Sequence, residues 1–257
     1  MSQLDIKFFS ESLNRYTSFS MYIPDDKRNF GGSYDKSTMK TLFLLHGYTC
    51  DNSNWMPLQI SEKLNFAVVI PNGENSFWLD GMSTGHKYCT FVGSELVSYV
   101  RNTFGLALSA EDTAIMGYSM GGFGALHTAL AYPETFGKVA ALSSALIVHT
   151  VAEMKPGDDN GIANYDYYRE CFGEPKNVIQ SDNNPETLVK RLLEQKSALP
   201  EIYMACGTDD FLIENNRQFH DFLLFCGVNH TYIESKGTHD MTFWNEYAVK
   251  FAEEMFG

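Results

Sequence analysis

The apolar positions change period along the chain. From Arg15 to Ile23, Tyr16, Ser18, Ser20 and Tyr22 alternate with Thr17, Phe19, Met21 and Ile23, the two-residue repeat of a strand. Leu4 to Phe9 precedes it across a short polar turn, so the pair predicts an antiparallel opening hairpin. Further on, the pattern is different. Thr41-Leu42-Phe43-Leu44-Leu45 and Phe66-Ala67-Val68-Val69-Ile70 are almost wholly apolar, as strands covered on both faces would be. Thr113 to Met116, Lys138 to Leu142, Glu201 to Cys206 and Thr231 to Glu234 read as further strands. Helical patterns lie between them: within Ser53 to Leu64, from Gly93 to Phe104, from Phe123 to Tyr132 before Pro133, from Glu214 to Cys226, and from about Phe243 to the end. Strand and helix in alternation predict an α/β fold, a mostly parallel, twisted sheet of about eight strands flanked by helices.

Two stretches depart from that rhythm. Asp25 to Lys40 is polar, contains Gly31-Gly32 and reads as a surface loop. Ser143 to Leu199 holds the polar run Lys155 to Gly161, the aromatic cluster Tyr165, Tyr167, Tyr168 and Phe172, and a helix from about Glu186 to Lys196. It is too short and too polar for a core of its own, so the expectation is one domain over residues 1–257 with a small cap inserted at 143–199.

Candidate chemistry centres on Gly117-Tyr118-Ser119-Met120-Gly121-Gly122, set between the strand at 113–116 and the helix at 123–132. A serine held clear of a sheet on a sharp strand-to-helix turn needs neighbours without side chains, and Gly117 and Gly121 supply them. The turn places Ser119 at a helix start and aims the Met120 N–H into the site, where it would stabilise developing negative charge. The strand at 41–45 ends in His46-Gly47-Tyr48, a turn expected to supply a second such donor from the Tyr48 N–H. His46 is read as ordering that loop. The loop from Asn75 to Thr90 leaves the same sheet edge, so Trp78 and Tyr88 are expected to wall a substrate pocket.

A serine hydroxyl needs a base to take its proton, and the base needs an acid to fix its tautomer. Turns after later strands offer both: Gly207-Thr208-Asp209-Asp210 carries an acid at Asp209 or Asp210, and Gly237-Thr238-His239-Asp240 carries His239. Asp240 is read as the cap of the final helix. His86, His127, His149, His220 and His230 are assigned structural places.

Composition narrows the partners. A net charge of −13 argues against nucleic acid and against anionic membrane, both of which reward Lys and Arg. Five scattered cysteines without a Cys-x-x-Cys pair look like reduced thiols, which points to the cytoplasm and away from a disulfide framework or metal site. No apolar run approaches the roughly 18 residues of a membrane span, and the N-terminus is unlike a signal peptide. A hydroxyl, an imidazole and a carboxylate require no cofactor and no metal, and the expected partner is a small molecule. Monomer and homo-oligomer are both compatible with this composition.

Leu44 to Cys50, Gly117 to Leu126, Cys206 to Leu212 and the Gly-Thr-His-Asp turn resemble, across nearly the whole chain, the esterase D branch of the α/β-hydrolases. That branch includes S-formylglutathione hydrolases and tributyrin, acetyl and feruloyl esterases. The resemblance implies an α/β-hydrolase fold, Ser119 as nucleophile, His239 as base, Asp210 rather than Asp209 as acid, and the Tyr48 and Met120 amides as oxyanion hole. Chain length and His46-Gly47 look more like the tributyrin and feruloyl esterases, which implies a serine carboxylesterase for short acyl or aryl esters. The alternatives are a thioesterase for S-formylglutathione and a non-catalytic binding protein on the same fold.

Overall fold

Alternate residues of β1 (Ser2–Ser10) are exposed, and it pairs antiparallel with β2 (Arg15–Ile23) from Ser2 opposite Ile23 to Ser10 opposite Arg15, forming the expected hairpin. The computed structural model describes residues 1–24 and 35–257; of the surface loop expected at 25–40, positions 25–34 lie outside the described residues.

The apolar runs form the centre of the sheet. β3 (Lys40–Leu45), β4 (Phe66–Pro71) and β5 (Thr113–Tyr118) carry almost only buried residues, because helices cover both faces. β6 (Lys138–Leu142), β7 (Glu201–Gly207) and β8 (His230–Ser235) extend it. The sheet has eight strands in the order β1-β2-β4-β3-β5-β6-β7-β8. β2 meets β4 antiparallel, and every pair from β4 to β8 is parallel. This is the α/β-hydrolase fold.

Two apolar layers flank the sheet. One holds Phe43, Leu45, Ile115, Phe123 and Leu126, and the cap segment adds Val151, Tyr168, Phe172 and Leu188 to it. The other packs Leu42, Leu44, Val68 and Met116 against Phe251 and Met255 of the last helix. The segment after Ser143 thus buries its apolar side chains in the layer of the main sheet. It contains α5 (Val148–Glu153), α6 (Tyr165–Phe172) and α7 (Pro185–Gln195).

The helix expected at 93–104 begins earlier. A turn at α2 (Tyr88–Thr90) runs through a π-helical stretch, Phe91–Leu96, into α3 (Val97–Phe104). α1 (Gln59–Leu64), α4 (Met120–Ala131), α8 (Ile213–Phe225) and α9 (Met241–Phe256) fall where the periodicity puts them. Because β3, β5, β7 and β8 all run parallel in one sheet, the turns after them open on the same edge.

Candidate active site

Ser119 sits between β5 and α4 with φ 54° and ψ −120°, a conformation that side-chain-bearing residues rarely adopt. Its surroundings leave no room for bulk. A Cβ on Gly117 would lie 2.2 Å from Gly121 O, and one on Gly121 would lie 2.3 Å from Leu45 O. Hydrogen bonds hold the strained residue: Ser119 N–H donates to Leu142 O at 2.9 Å, and Ala145 N–H donates to Ser119 O at 2.9 Å.

His239 follows β8 and bridges two groups far away in sequence. Its Nε2 lies 2.9 Å from Ser119 Oγ, and its Nδ1 lies 2.8 and 3.1 Å from the two oxygens of Asp210. A carboxylate accepts, so Nδ1 carries the proton; Nε2 is then bare and accepts from the serine hydroxyl. Asp210 is 2% exposed, and its Oδ1 also accepts from Leu212 N–H at 2.9 Å. Burial pushes its carboxyl up, but the bonds from His239 and Leu212 outweigh burial and hold it below the usual carboxylate value. The neighbouring Asp209 is exposed. Asp240 caps α9, accepting from Thr242 N–H at 2.7 Å and Phe243 N–H at 3.1 Å.

Tyr48 and Met120 line the same cleft as Ser119 and His239. Met120 is the first residue of α4, where backbone N–H groups lack helical partners and favour negative charge. His46 is wholly buried and orders the turn before Tyr48. Its Nε2 accepts from Gly73 N–H at 2.9 Å, which leaves the proton on Nδ1 to donate to Gly47 O at 2.8 Å. Burial lowers its pKa, so the ring is neutral in that arrangement.

The cleft has a volume of about 560 Å³. Aromatic residues dominate its walls, Phe77, Tyr168, Phe211 and Trp244 among them, with Ile147 and Ile162. Among the described residues, no Lys, Arg, Asp or Glu lines it. Trp244 sets its ring at 89° to that of His239, with centroids 4.9 Å apart.

Trp78 and Tyr88 do not wall this cleft. Trp78 is wholly buried, fills the space beside Gly73 and Gly124, and donates from Nε1 to His46 O at 3.2 Å. It therefore supports the turn from behind. Tyr88 borders a separate cavity of about 240 Å³ and donates from its hydroxyl to Glu74 at 2.9 Å. Left-handed backbone at both Phe77 (φ 53°) and Trp78 (φ 58°) sets the directions of this loop's side chains, and Phe77 is the one that reaches the cleft. Phe211 directly follows Asp210, and Tyr168 belongs to the aromatic cluster noted in the insertion; those were the available signals. Trp244 carried none beyond its place after His239.

Comparison with known proteins gives the family. The Esterase family model ("Putative esterase") matches residues 10–250. An acetyl esterase of Caldicellulosiruptor saccharolyticus is 40% identical over 99% of this chain and 98% of its own length. The chain belongs to the esterase family. As a carboxylic ester hydrolase, this esterase also shares its fold with two solved proteins of Staphylococcus aureus. One is the fluorophosphonate-binding serine hydrolase FphF, with a TM-score of 0.86 and 23% identity over 100% of this chain and 98% of that one. The other is an S-formylglutathione hydrolase, with a TM-score of 0.83 and 23% identity over 100% and 99%. No helix among the esterase's described residues is long and apolar enough to cross a membrane.

Proposed function

We propose that this esterase hydrolyses neutral carboxylic esters with short acyl or aryl groups through an acyl-enzyme on Ser119. His239 takes the Ser119 proton as Oγ attacks the ester carbonyl, and the Tyr48 and Met120 amides hold the oxyanion. His239 then protonates the departing alcohol. Water repeats the sequence to release the acid, while buried Asp210 steadies the imidazolium at each stage. The observation that carries the reading is the position of His239, 2.9 Å from the serine oxygen and 2.8 Å from the carboxylate.

The cleft favours a neutral substrate. Its roughly 560 Å³ falls within the range of about 300–1,000 Å³ common to small-molecule sites and is more than an acetyl group fills, so butyryl and aryl groups fit as well. Glutathione carries carboxylates and an amine, and the described lining offers no charged partner to them. Esters are therefore preferred over glutathione thioesters. The five cysteines are free, which supports a reducing, cytoplasmic location.

The test is a series of p-nitrophenyl esters from acetyl upward, with methyl ferulate, acetylated sugars and S-formylglutathione, given to wild type and to Ser119→Ala. The expected result is turnover of oxygen esters by wild type, little of the thioester, and none by the variant. Turnover retained in Ser119→Ala, or no labelling of wild-type Ser119 by a fluorophosphonate, would refute the mechanism.

A further inference from the structure

Asn216 is a polar residue in the first turns of α8, wholly buried at 0% exposure. Asparagine is a poor helix former, and burying its amide is costly unless every group is paired. Here the side chain is paired at both ends. Oδ1 accepts from Ser144 N–H at 3.2 Å, and Nδ2 donates to Ser144 O and Leu212 O, both at 2.9 Å. It thereby ties the turn after β6 to the turn after β7.

Both turns hold the reacting groups. The β6 turn grips the backbone of Ser119 on both sides, through Leu142 O and Ala145 N–H. The β7 turn carries Asp210, whose Oδ1 accepts from Leu212 N–H. A path of hydrogen bonds, joined by the backbone of Ser144–Ala145 and of Leu212, thus runs from the nucleophile to the acid without passing through the histidine. Ser143 N–H adds a strand-level anchor to Ala205 O at 2.8 Å.

We propose that Asn216 is a positioning residue for catalysis: it fixes the separation of Ser119 and Asp210, and so the span His239 must bridge. The proposal rests on the triad reading above. Catalytic groups lose rate steeply with small displacements, whereas the cleft walls that bind substrate do not include Asn216. Its loss therefore acts chiefly on the chemical step, since it reaches the cleft only through the backbone of Leu212 and of the Ser144–Ala145 turn.

The test compares Asn216→Leu, which has the same branching and number of heavy atoms but no hydrogen bonds, with Asn216→Asp, which keeps the acceptor and loses both amide donors. Gln218→Ala, exposed on the same helix, and Val100→Ala in the core serve as controls, the second for general loss of stability. kcat and KM are measured with p-nitrophenyl butyrate, labelling rate with a fluorophosphonate, and folding by thermal unfolding. Asn216→Leu is expected to lower kcat and the labelling rate together by about 10- to 100-fold with KM changed less than about twofold. Asn216→Asp is expected to fall between it and wild type, and both controls to keep kcat.

Wild-type kcat in a folded Asn216→Leu overturns the proposal. Should that variant not fold, wild-type kcat in Asn216→Asp does the same. An equal loss of kcat in Val100→Ala also overturns it, because stability alone would then explain the effect. Failure of the triad reading looks different: Ser119→Ala would keep its turnover whatever happens at Asn216.

Discussion

The ring of Phe211 lies 4.5 Å from that of His239, inclined at 46°, while remaining 67% exposed. A large apolar side chain lining the cleft is left in water and packs against the imidazole. Such a contact brings about 0.5–1.5 kcal/mol when an aromatic partner completes it. Phe211→Ala should therefore raise KM for aryl esters about three- to tenfold while changing KM for the acetyl ester less. Steady-state kinetics with phenyl-bearing and methyl esters of one acid make the comparison, and an equal effect on both would assign Phe211 to the base alone.

Adjacent aspartates give an internal control for the acid. Asp210 is buried against His239, and Asp209 is in solvent. Asp210→Asn should lower kcat on the order of 10³- to 10⁴-fold, because an amide no longer selects the tautomer with the Nδ1 proton. Asp209→Asn should leave kcat within about twofold. The two variants differ by one position and one prediction, so rates measured side by side decide the assignment.

Stability in acid should depend on His127. Its Nε2 donates to Asp182 O at 2.9 Å, which leaves Nδ1 facing the Cys89 thiol at 3.5 Å. Burial is the main reason that its pKa is pushed down to about 4, below the ordinary histidine value of about 6.5. Between those values the unfolded chain binds a proton that the native ring refuses. Unfolding then takes up a proton, and stability falls as pH falls through that window. Urea titrations from pH 7 to 4.5 should show wild type losing up to about 1.4 kcal/mol per pH unit more than His127→Leu. Parallel pH dependence in the two proteins would exclude this role.

Cys50 is exposed and lines the cleft with Ser119, whereas Cys89, Cys171 and Cys206 are buried and their thiols are held protonated by burial. A bulky maleimide should inactivate wild type and leave Cys50→Ser active. Full activity after stoichiometric labelling of Cys50 would show that the cleft tolerates the adduct.

Much of this arrangement was legible in the sequence because it depends on local rules. Apolar runs such as Leu42 to Leu45 can be buried on both faces in few ways, and the spacing of Gly117, Ser119 and Gly121 matches a turn in which added Cβ atoms would meet backbone oxygens at 2.2–2.3 Å. The choice between Asp209 and Asp210 was not local; it came from resemblance, and of the two only Asp210 is buried beside His239. Trp78 and Tyr88 were misplaced for a related reason. Two successive left-handed residues, Phe77 and Trp78, are neither glycine nor asparagine, so nothing in their identity announces that the loop reverses its facing there. The π-helical stretch at Phe91–Leu96 likewise has no signature in apolar spacing. Asn216 was hidden inside an ordinary helical pattern, since its role exists only once two distant turns are side by side.

The uncharged cleft bears on turnover as well as on binding. An ester arrives neutral, but its acid half departs as an anion, and the described walls hold no cation to retain it. Hydration outside then outcompetes anything the walls offer the carboxylate. The same surface that welcomes the reactant thus expels what it becomes, and accumulating acid should inhibit the enzyme only weakly.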